Sequence, residues 1–344
     1  MNLLKPHLLL LLWLVSTWAA PAWAHGDPLV FSGKTMGTTY HIKLFPGPGS
    51  VPRNLESKIR GCLDEINRSM SAFLPESEIS RFNALKETDT PFPVSGDFYK
   101  VLETAAYLHR ITGGAWDGTV KPLVDLWGFG APGARYRPPA PEKIREALKT
   151  VGFDHIRLSG NKVLVKKNPG VTLDMASIAK GYGVDRLAAL LEDAGIRNFL
   201  VEIGGEVYAS GQKPGGNPWQ IGINAPSPDA PLNRVYKVVP LKDMAFATSG
   251  DYRNFFEHQG VRYSHVIDPQ TGYPVRNGVV SVSVSAKTCI LADGLATALM
   301  IMGPEKGLDL VDRLESVECL ILVNQKHSSL KEFFSKGFHA AASD

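Results

Sequence analysis

Cysteine is scarce in this chain of 344 residues, with only Cys62, Cys289 and Cys319 present. An odd set at such wide spacing matches neither a disulfide framework nor a zinc ligand pattern. A dominant charge is also missing, since 37 Lys and Arg stand against 34 Asp and Glu for a formal net charge of +3. No basic cluster is longer than Lys166-Lys167, so nothing argues for nucleic acid as a partner. Walker and dinucleotide glycine fingerprints are absent, which removes the common phosphate loops. No internal repeat is visible. The apolar run from Leu8 to Val15 is too short to span a bilayer comfortably.

That run belongs to a leader. Lys5 and His7 precede it, and Ala22, Trp23 and Ala24 follow as a small-x-small cleavage site. Residues 1–24 are expected to be a secretory signal peptide cut after Ala24, rather than an uncleaved anchor, leaving residues 25–344 as a single catalytic unit. Cleavage removes Lys5 and no acid, which takes the net charge to about +2. No cysteine stands near the cut, so lipidation there is not expected. The composition, 44% hydrophobic and 21% charged, is that of a globular protein able to bury a sizeable core.

Two strand-like runs fill Val30 to Phe45, interrupted at Met36-Gly37. Leu55, Ile59, Leu63, Ile66 and Met70 follow helical spacing. Ser95 is placed to cap a second helix that runs through Leu108 and ends at Gly113-Gly114. Pro141 to Gly152 reads as a short helix. Strand-like runs follow at Lys162 to Lys166, Phe199 to Ile203, Gln220 to Ile223, Tyr236 to Val239 and Val279 to Val284. A long helix is expected over Ser177 to Ala194, and another around Asp293. Strands come in runs rather than alternating with helices, so the expected fold class is α+β and not a doubly wound sheet.

Four stretches carry polar groups suited to chemistry. In T-L-D-M-A-S-I-A-K-G-Y-G, Thr172 to Gly183, Asp174 ends an extended run and the following helix presents free amides and its positive dipole end, which suits a phosphate. Ser177 and Lys180 lie three apart there; the plainer reading makes Asp174 a cap and Lys180 a solvated charge. Glu202 to Gly211 holds Gly204-Gly205 between two strands and reads as a tight hairpin. Thr248, Ser249 and Gly250 are expected at a turn before Arg253, and S-H-V-I-D-P-Q-T-G follows from Ser264. His265 there can titrate near neutral pH as a general base, or be an ordinary structural histidine. Finally, Asp293 and Thr297 sit four apart in the apolar segment from Cys289 to Gly303, on one face of a helix. They would supply two hard oxygen ligands for Mg2+, or Thr297 would bond back to the Asp293 carbonyl and Asp293 would cap a late-starting helix.

Taken together, M-G-T-T-Y (Met36 to Tyr40), L-D-M-A-S-I-A-K-G-Y-G-V-D, S-H-V-I-D-P-Q-T-G and A-D-G-L-A-T-A-L-M resemble the ApbE family of FAD:protein FMN transferases. S-E-I-S-R-F-N (Ser77 to Asn83) and T-V-K-P-L-V-D-L-W-G-F-G (Thr119 to Gly130) extend the likeness over nearly all of the chain after the leader. The resemblance implies a T-fold-like α+β protein, mostly antiparallel sheets with packed helices. It implies FAD as substrate, Mg2+ as metal, and transfer of the FMN half to a Ser or Thr hydroxyl of a partner protein with release of AMP.

By the same resemblance, Ser177, partly through its backbone oxygen, Asp293 and Thr297 hold the metal. Flavin contacts fall to Met36, Phe73, Ala115, Trp116, Asp117, Asp174, Lys180 and Ile267. His265 is the candidate base, with Asp268 in reserve. The acceptors implied are flavoprotein subunits bearing a Ser/Thr flavinylation motif, of the sodium-pumping NADH:quinone reductase or Rnf type or related reductases. A periplasmic enzyme is expected, soluble because the lipobox cysteine of many relatives is missing, with peripheral association at the inner membrane where such acceptors sit. A Mg2+-dependent FAD pyrophosphatase and a non-catalytic flavin carrier or assembly factor are the competing readings.

Overall fold

The computed structural model describes residues 27–47, 51–130, 137–227, 231, 234–252, 254–325, 329–339 and 341–342. The expected signal peptide at 1–24 and Arg253 lie outside the described residues.

The chain begins with a hairpin. β1 (Leu29–Thr35) pairs antiparallel with β2 (Thr38–Leu44) through Thr35 and Thr38. The two residues between them have positive φ, 48° at Met36 and 75° at Gly37, which matches the twist of paired strands. α1 (Leu55–Met70) buries the stripe of Leu55, Ile59, Leu63, Ile66 and Met70 that its spacing predicts. α2 (Glu78–Ala84), capped by the Ser77 hydroxyl at 3.1 Å from the Ser80 amide, and the short β3 (Pro91–Pro93) were not anticipated. Ser95 caps α3 (Gly96–Ile111), its hydroxyl accepting from the Phe98 amide at 3.2 Å.

α4 (Lys121–Leu126) and α5 (Pro141–Leu148) lead to β4 (Ile156–Ser159) and β5 (Val163–Lys166), which complete a small sheet in the order β3-β5-β4. The long helix α6 (Ala176–Asp193) follows. β6 (Phe199–Ile203) and β7 (Glu206–Ser210) pair across Gly204-Gly205, as expected of a tight hairpin. Beyond β8 (Trp219–Asn224) and β9 (Val235–Leu241) come β10 (Met244–Gly250) and the hairpin of β11 (Phe255–His258) with β12 (Val261–Ser264). β13 (Val279–Ala286), α7 (Cys289–Val311), β14 (Glu318–Asn324), β15 (Leu330–Phe334) and β16 (Ala341–Ala342) complete the order.

The main sheet has eight antiparallel strands in the order β1-β2-β6-β7-β10-β13-β14-β15, and β8 and β9 form a second sheet with β16. The α+β expectation is met. Alternate residues of one strand serve different cores. In β14, Cys319 and Ile321 join the large core packed against α1, α3, α6 and α7, while Leu320 and Leu322 join Trp219, Val239 and Leu241 beneath the second sheet. A third cluster, with Leu123, Trp127, Ile144, Phe256 and Ile267, ties α4 and α5 to the β11-β12 hairpin.

One local expectation fails. Thr248, Ser249 and Gly250 are not a turn but the end of β10, paired with β13 as far as Gly250 and Ser281. The polar side chains that suggested a turn are satisfied sideways, Thr248 Oγ1 lying 2.8 Å from Ser283 Oγ on the neighbouring strand. α7 breaks at Gly303, whose φ of 75° precedes Pro304. No helix among the described residues is long and apolar enough to cross a membrane.

Candidate active site

α6 and α7 meet so closely that only glycine fits between them. A Cβ on Gly181 would lie 2.5 Å from the Cys289 carbonyl oxygen. The contact lets the Gly181 amide donate to Asp293 Oδ2 at 3.0 Å. In a regular helix that amide serves the carbonyl four residues back, here Ser177, so Asp293 and the Ser177 carbonyl address the same donor. Asp293 lies one turn inside α7 and does not cap it, the helix starting at Cys289.

Around this contact lies a cavity of about 430 Å³, walled by the first turn of α6, the end of β10, the early turns of α7 and the loops around Trp116 and His265. Lys180 points between two carboxylates, 3.1 Å from Glu206 Oε1 and 3.7 Å from Asp293 Oδ2. Burial alone would push its ammonium down, but Asp293 and Glu206 overcome this and hold its pKa above the usual lysine value. Burial raises the Asp293 carboxyl, with Lys180 and the Gly181 amide opposing. Burial and the nearby Asp293 push Glu206 up to about 8. The second Glu206 oxygen, Oε2, is buried without a hydrogen-bond partner among the described residues.

Oxygen lines the rest of this corner. Thr297 Oγ1 is 3.2 Å from Ser249 Oγ and only 3.5 Å from the Asp293 carbonyl, so the bond back along the helix is marginal by ordinary O–H···O lengths. Trp116 Nε1 donates to Ser177 Oγ at 3.0 Å. Asp174 Oδ1 accepts from the Ala176 amide at 2.8 Å, holding the entry to α6 from the residue before the N-cap, Met175, which makes no side-chain cap. Asp117 is buried; its Oδ1 accepts from the Thr119 amide and hydroxyl, and its Oδ2 faces His109 Nδ1 at 3.3 Å. The approach of Asp117 raises the His109 pKa against the effect of burial, although the 3.3 Å contact is not aligned as a hydrogen bond.

His265 has a defined tautomer. Its Nδ1 lies 3.0 Å from the Asn254 carbonyl oxygen, which can only accept, so Nδ1 carries the proton and Nε2 keeps its lone pair. Burial lowers its pKa, the Asn254 bond opposing. The ring is neutral at pH 7 and lines the cavity.

Of the residues expected from the sequence, Ala115, Trp116, Asp117, Asp174, Ser177, Lys180, His265, Ile267, Asp293 and Thr297 come together on this wall. Three do not. Asp268 accepts from the Gln270 amide at 2.9 Å and the Thr271 hydroxyl at 3.0 Å, so both oxygens hold its own turn. Met36 lies over Gly183 of α6, where an added Cβ would meet its Cε at 2.9 Å, and Phe73 stands 84% exposed after α1. The sequence reading missed Glu206, Ser249 and Asn254 on the wall. Glu206 begins a strand buried on both faces, so no alternation singled it out.

Among the described residues no cluster of three His, Cys, Asp or Glu side chains has the spacing of a metal centre. A cation here would take one buried carboxylate, hydroxyls and a carbonyl, an all-oxygen set that fits a hard ion such as Mg2+. The unpartnered Glu206 Oε2 and the buried Asp293 carboxyl beside it leave acceptor oxygens in the corner for such an ion to engage.

A model of the ApbE family matches residues 36–321. A FAD:protein FMN transferase of Vibrio cholerae is 44% identical over 308 residues, 89% of this chain and 90% of its own. One of Haemophilus influenzae is 43% identical over 297 residues, covering 85% of each. The solved structure of the flavin transferase ApbE from Vibrio cholerae matches with a TM-score of 0.82 at 42% identity, over 91% of this chain and 98% of that one.

Proposed function

The chain belongs to the ApbE family, and from that premise we propose that it moves the FMN half of FAD to a Ser or Thr hydroxyl of a partner flavoprotein through a phosphoester, releasing AMP in a Mg2+-dependent reaction. It is a transferase, as its relatives' names state. The observation that carries the finer reading is the convergence of Ser177, Lys180, Asp293 and Thr297 from α6 and α7 on one cavity. The pair on α6 and the pair on α7 lie far apart in sequence, yet each residue presents a group suited to a pyrophosphate or its cation.

Asp293, Thr297 and Ser177 would hold the Mg2+. Bound there, the ion would withdraw charge from the reacting phosphate and stabilise the departing AMP. Lys180 stays protonated between its carboxylates and faces the cavity with positive charge. The first-turn amides of α6 add their dipole. The acceptor hydroxyl oxygen forms the new bond to the FMN phosphorus, the bond to the AMP oxygen breaks, and AMP leaves with that electron pair. The hydroxyl proton goes to His265 Nε2, which is unprotonated at pH 7 and fixed by the Nδ1 bond to Asn254. Ala115, Trp116, Asp117 and Ile267 then serve the flavin side of the cavity, with Trp116 also holding the Ser177 hydroxyl in place.

The leader composition supports export, so we place the enzyme in the periplasm, acting on redox subunits at the inner membrane. The test is to incubate the mature protein with FAD, Mg2+ and a flavoprotein subunit carrying a Ser/Thr acceptor motif. Covalent flavin fluorescence on the acceptor, with one AMP released per flavin attached, is expected. Equal FMN and AMP with no labelled acceptor would mean a pyrophosphatase, and tight FAD binding without turnover would mean a carrier.

A further inference from the structure

α6 presents Ser177, Gly181 and Asp185 at successive turns of one face, and α7 presents Cys289, Asp293 and Thr297 in the same way. The two rows meet in opposite directions. Asp185 Oδ1 accepts from the Cys289 amide at 2.7 Å and Oδ2 from the Ile290 amide at 2.9 Å. One turn along, the Gly181 amide donates to Asp293 Oδ2 at 3.0 Å. One turn further, Ser177 and Thr297 both face the cavity. The first free amides of α7 are thus satisfied from another helix, 104 and 105 residues away. Thr288, at the N-cap position itself, makes no side-chain cap.

We propose that Asp185 is a positioning residue for the metal site: its carboxylate fixes the start of α7 against α6, and so sets how Asp293 and Thr297 face Ser177. A local cap from position 288 would reach the Ile290 amide but not that of Cys289 at the first helical position, and only a cap carried by α6 also fixes the relation of the two helices. Gly181 strengthens the case, because its bare backbone against Cys289 leaves no room for the helices to settle differently without losing the Asp293 bond. The inference rests on the reading of Ser177, Asp293 and Thr297 as ligands for Mg2+.

FAD fluorescence quenching, titrated with Mg2+, reads the site without turnover. Asp185→Asn keeps one acceptor and loses the second and the charge. It is expected to raise the Mg2+ concentration for half-maximal quenching about 10- to 100-fold, the usual effect of losing an outer support of a metal ligand, while FAD affinity at saturating Mg2+ stays near wild type. Asp185→Ala combined with Thr288→Asp caps α7 locally; it is expected to restore the melting temperature but not the Mg2+ response, and it carries the test if Asp185→Asn does not fold. An unchanged Mg2+ midpoint in Asp185→Asn, or full recovery of that midpoint in the double variant, would overturn the proposal. A wild-type protein whose FAD binding ignores Mg2+ would instead sink the metal reading, and the proposal with it.

Discussion

Lys166, fully buried, and Lys180, half-buried, are both drawn out of solvent, and their surroundings drive them in opposite directions. Lys166, 1% exposed at the end of β5, donates to the Leu85 carbonyl at 2.9 Å and more weakly to that of Asn83 at 3.4 Å, and lies over the Phe82 ring. Burial, with some help from Lys86, pushes its pKa down to about 8. Lys180 suffers burial too, yet Asp293 and Glu206 hold its proton firmly. Neutral dipoles therefore host an ammonium here without securing its charge, whereas the Asp293 and Glu206 carboxyls together secure it. A structural lysine needs only the first arrangement. A site that gathers phosphate and a divalent cation needs the second.

Removing one carboxylate breaks the second arrangement most severely. Asp293→Ala deletes the anionic oxygen assigned to the metal and the acceptor of the Gly181 amide, and transfer is expected to fall about 1000-fold, the order of several kcal/mol of charge stabilisation. Covalent flavin on the acceptor and AMP release measure it together. Near-normal transfer in that variant would leave the site model without its centre.

Lys180→Met instead leaves the buried Asp293 and Glu206 carboxyls without their cation. Breaking a buried ion pair from one side costs about 3–5 kcal/mol, so a large drop in unfolding free energy in urea is expected along with lost transfer. A variant as stable as wild type would show that Glu206 and Asp293 do not depend on this lysine.

The contrast between the lysines was only half visible in the sequence. Apolar spacing placed α1, Ser95 marked the start of α3, and the four-residue step put Asp293 and Thr297 on one face, because each of these signals is local and periodic. The partner of Lys180 was not visible. Glu206 is 26 positions on, past a glycine hairpin, on a strand whose neighbours are buried on either side, and pairing across such a distance leaves no local trace. Ser249 was hidden for a related reason: a run of small polar residues reads as a turn unless its distant partners are known, here Ser283 of β13 for Thr248 and Thr297 of α7 for Ser249. The burial of Lys166 was equally silent, since it stands next to the exposed Lys167 in what reads as a short basic run.

His265 sharpens the comparison, being a base held in the manner of Lys166 but placed inside the cavity. Burial lowers its pKa from the ordinary 6.5 and only a backbone carbonyl opposes, so it stays an acceptor to lower pH than a solvated histidine. The acid limb of kcat/KM for transfer is therefore expected below pH 6.5, and His265→Ala to lose about 100-fold in kcat while FAD binding by fluorescence is retained. An unchanged acid limb in the alanine variant would assign the proton to another group.

The smallest effect tests Lys166 itself. The unfolded chain keeps this proton up to the ordinary lysine pKa of 10.5, whereas the folded chain releases it near 8. Between those values the unfolded state binds more protons, so this lysine makes stability rise with pH there, and its burial penalty is fully present below pH 8. Lys166→Met removes that rise. At pH 7 the two proteins should differ little, because relief of the buried charge is offset by about 1–3 kcal/mol for the Leu85 and Asn83 carbonyls left without their donor. Urea unfolding at pH 7, 8, 9 and 10 should show the wild type gaining on the variant at each step above pH 8, with transfer activity equal in both. Parallel curves would mean that the carbonyls hold the Lys166 proton as firmly as the carboxylates hold that of Lys180, and the distinction between the two lysines would rest on position alone.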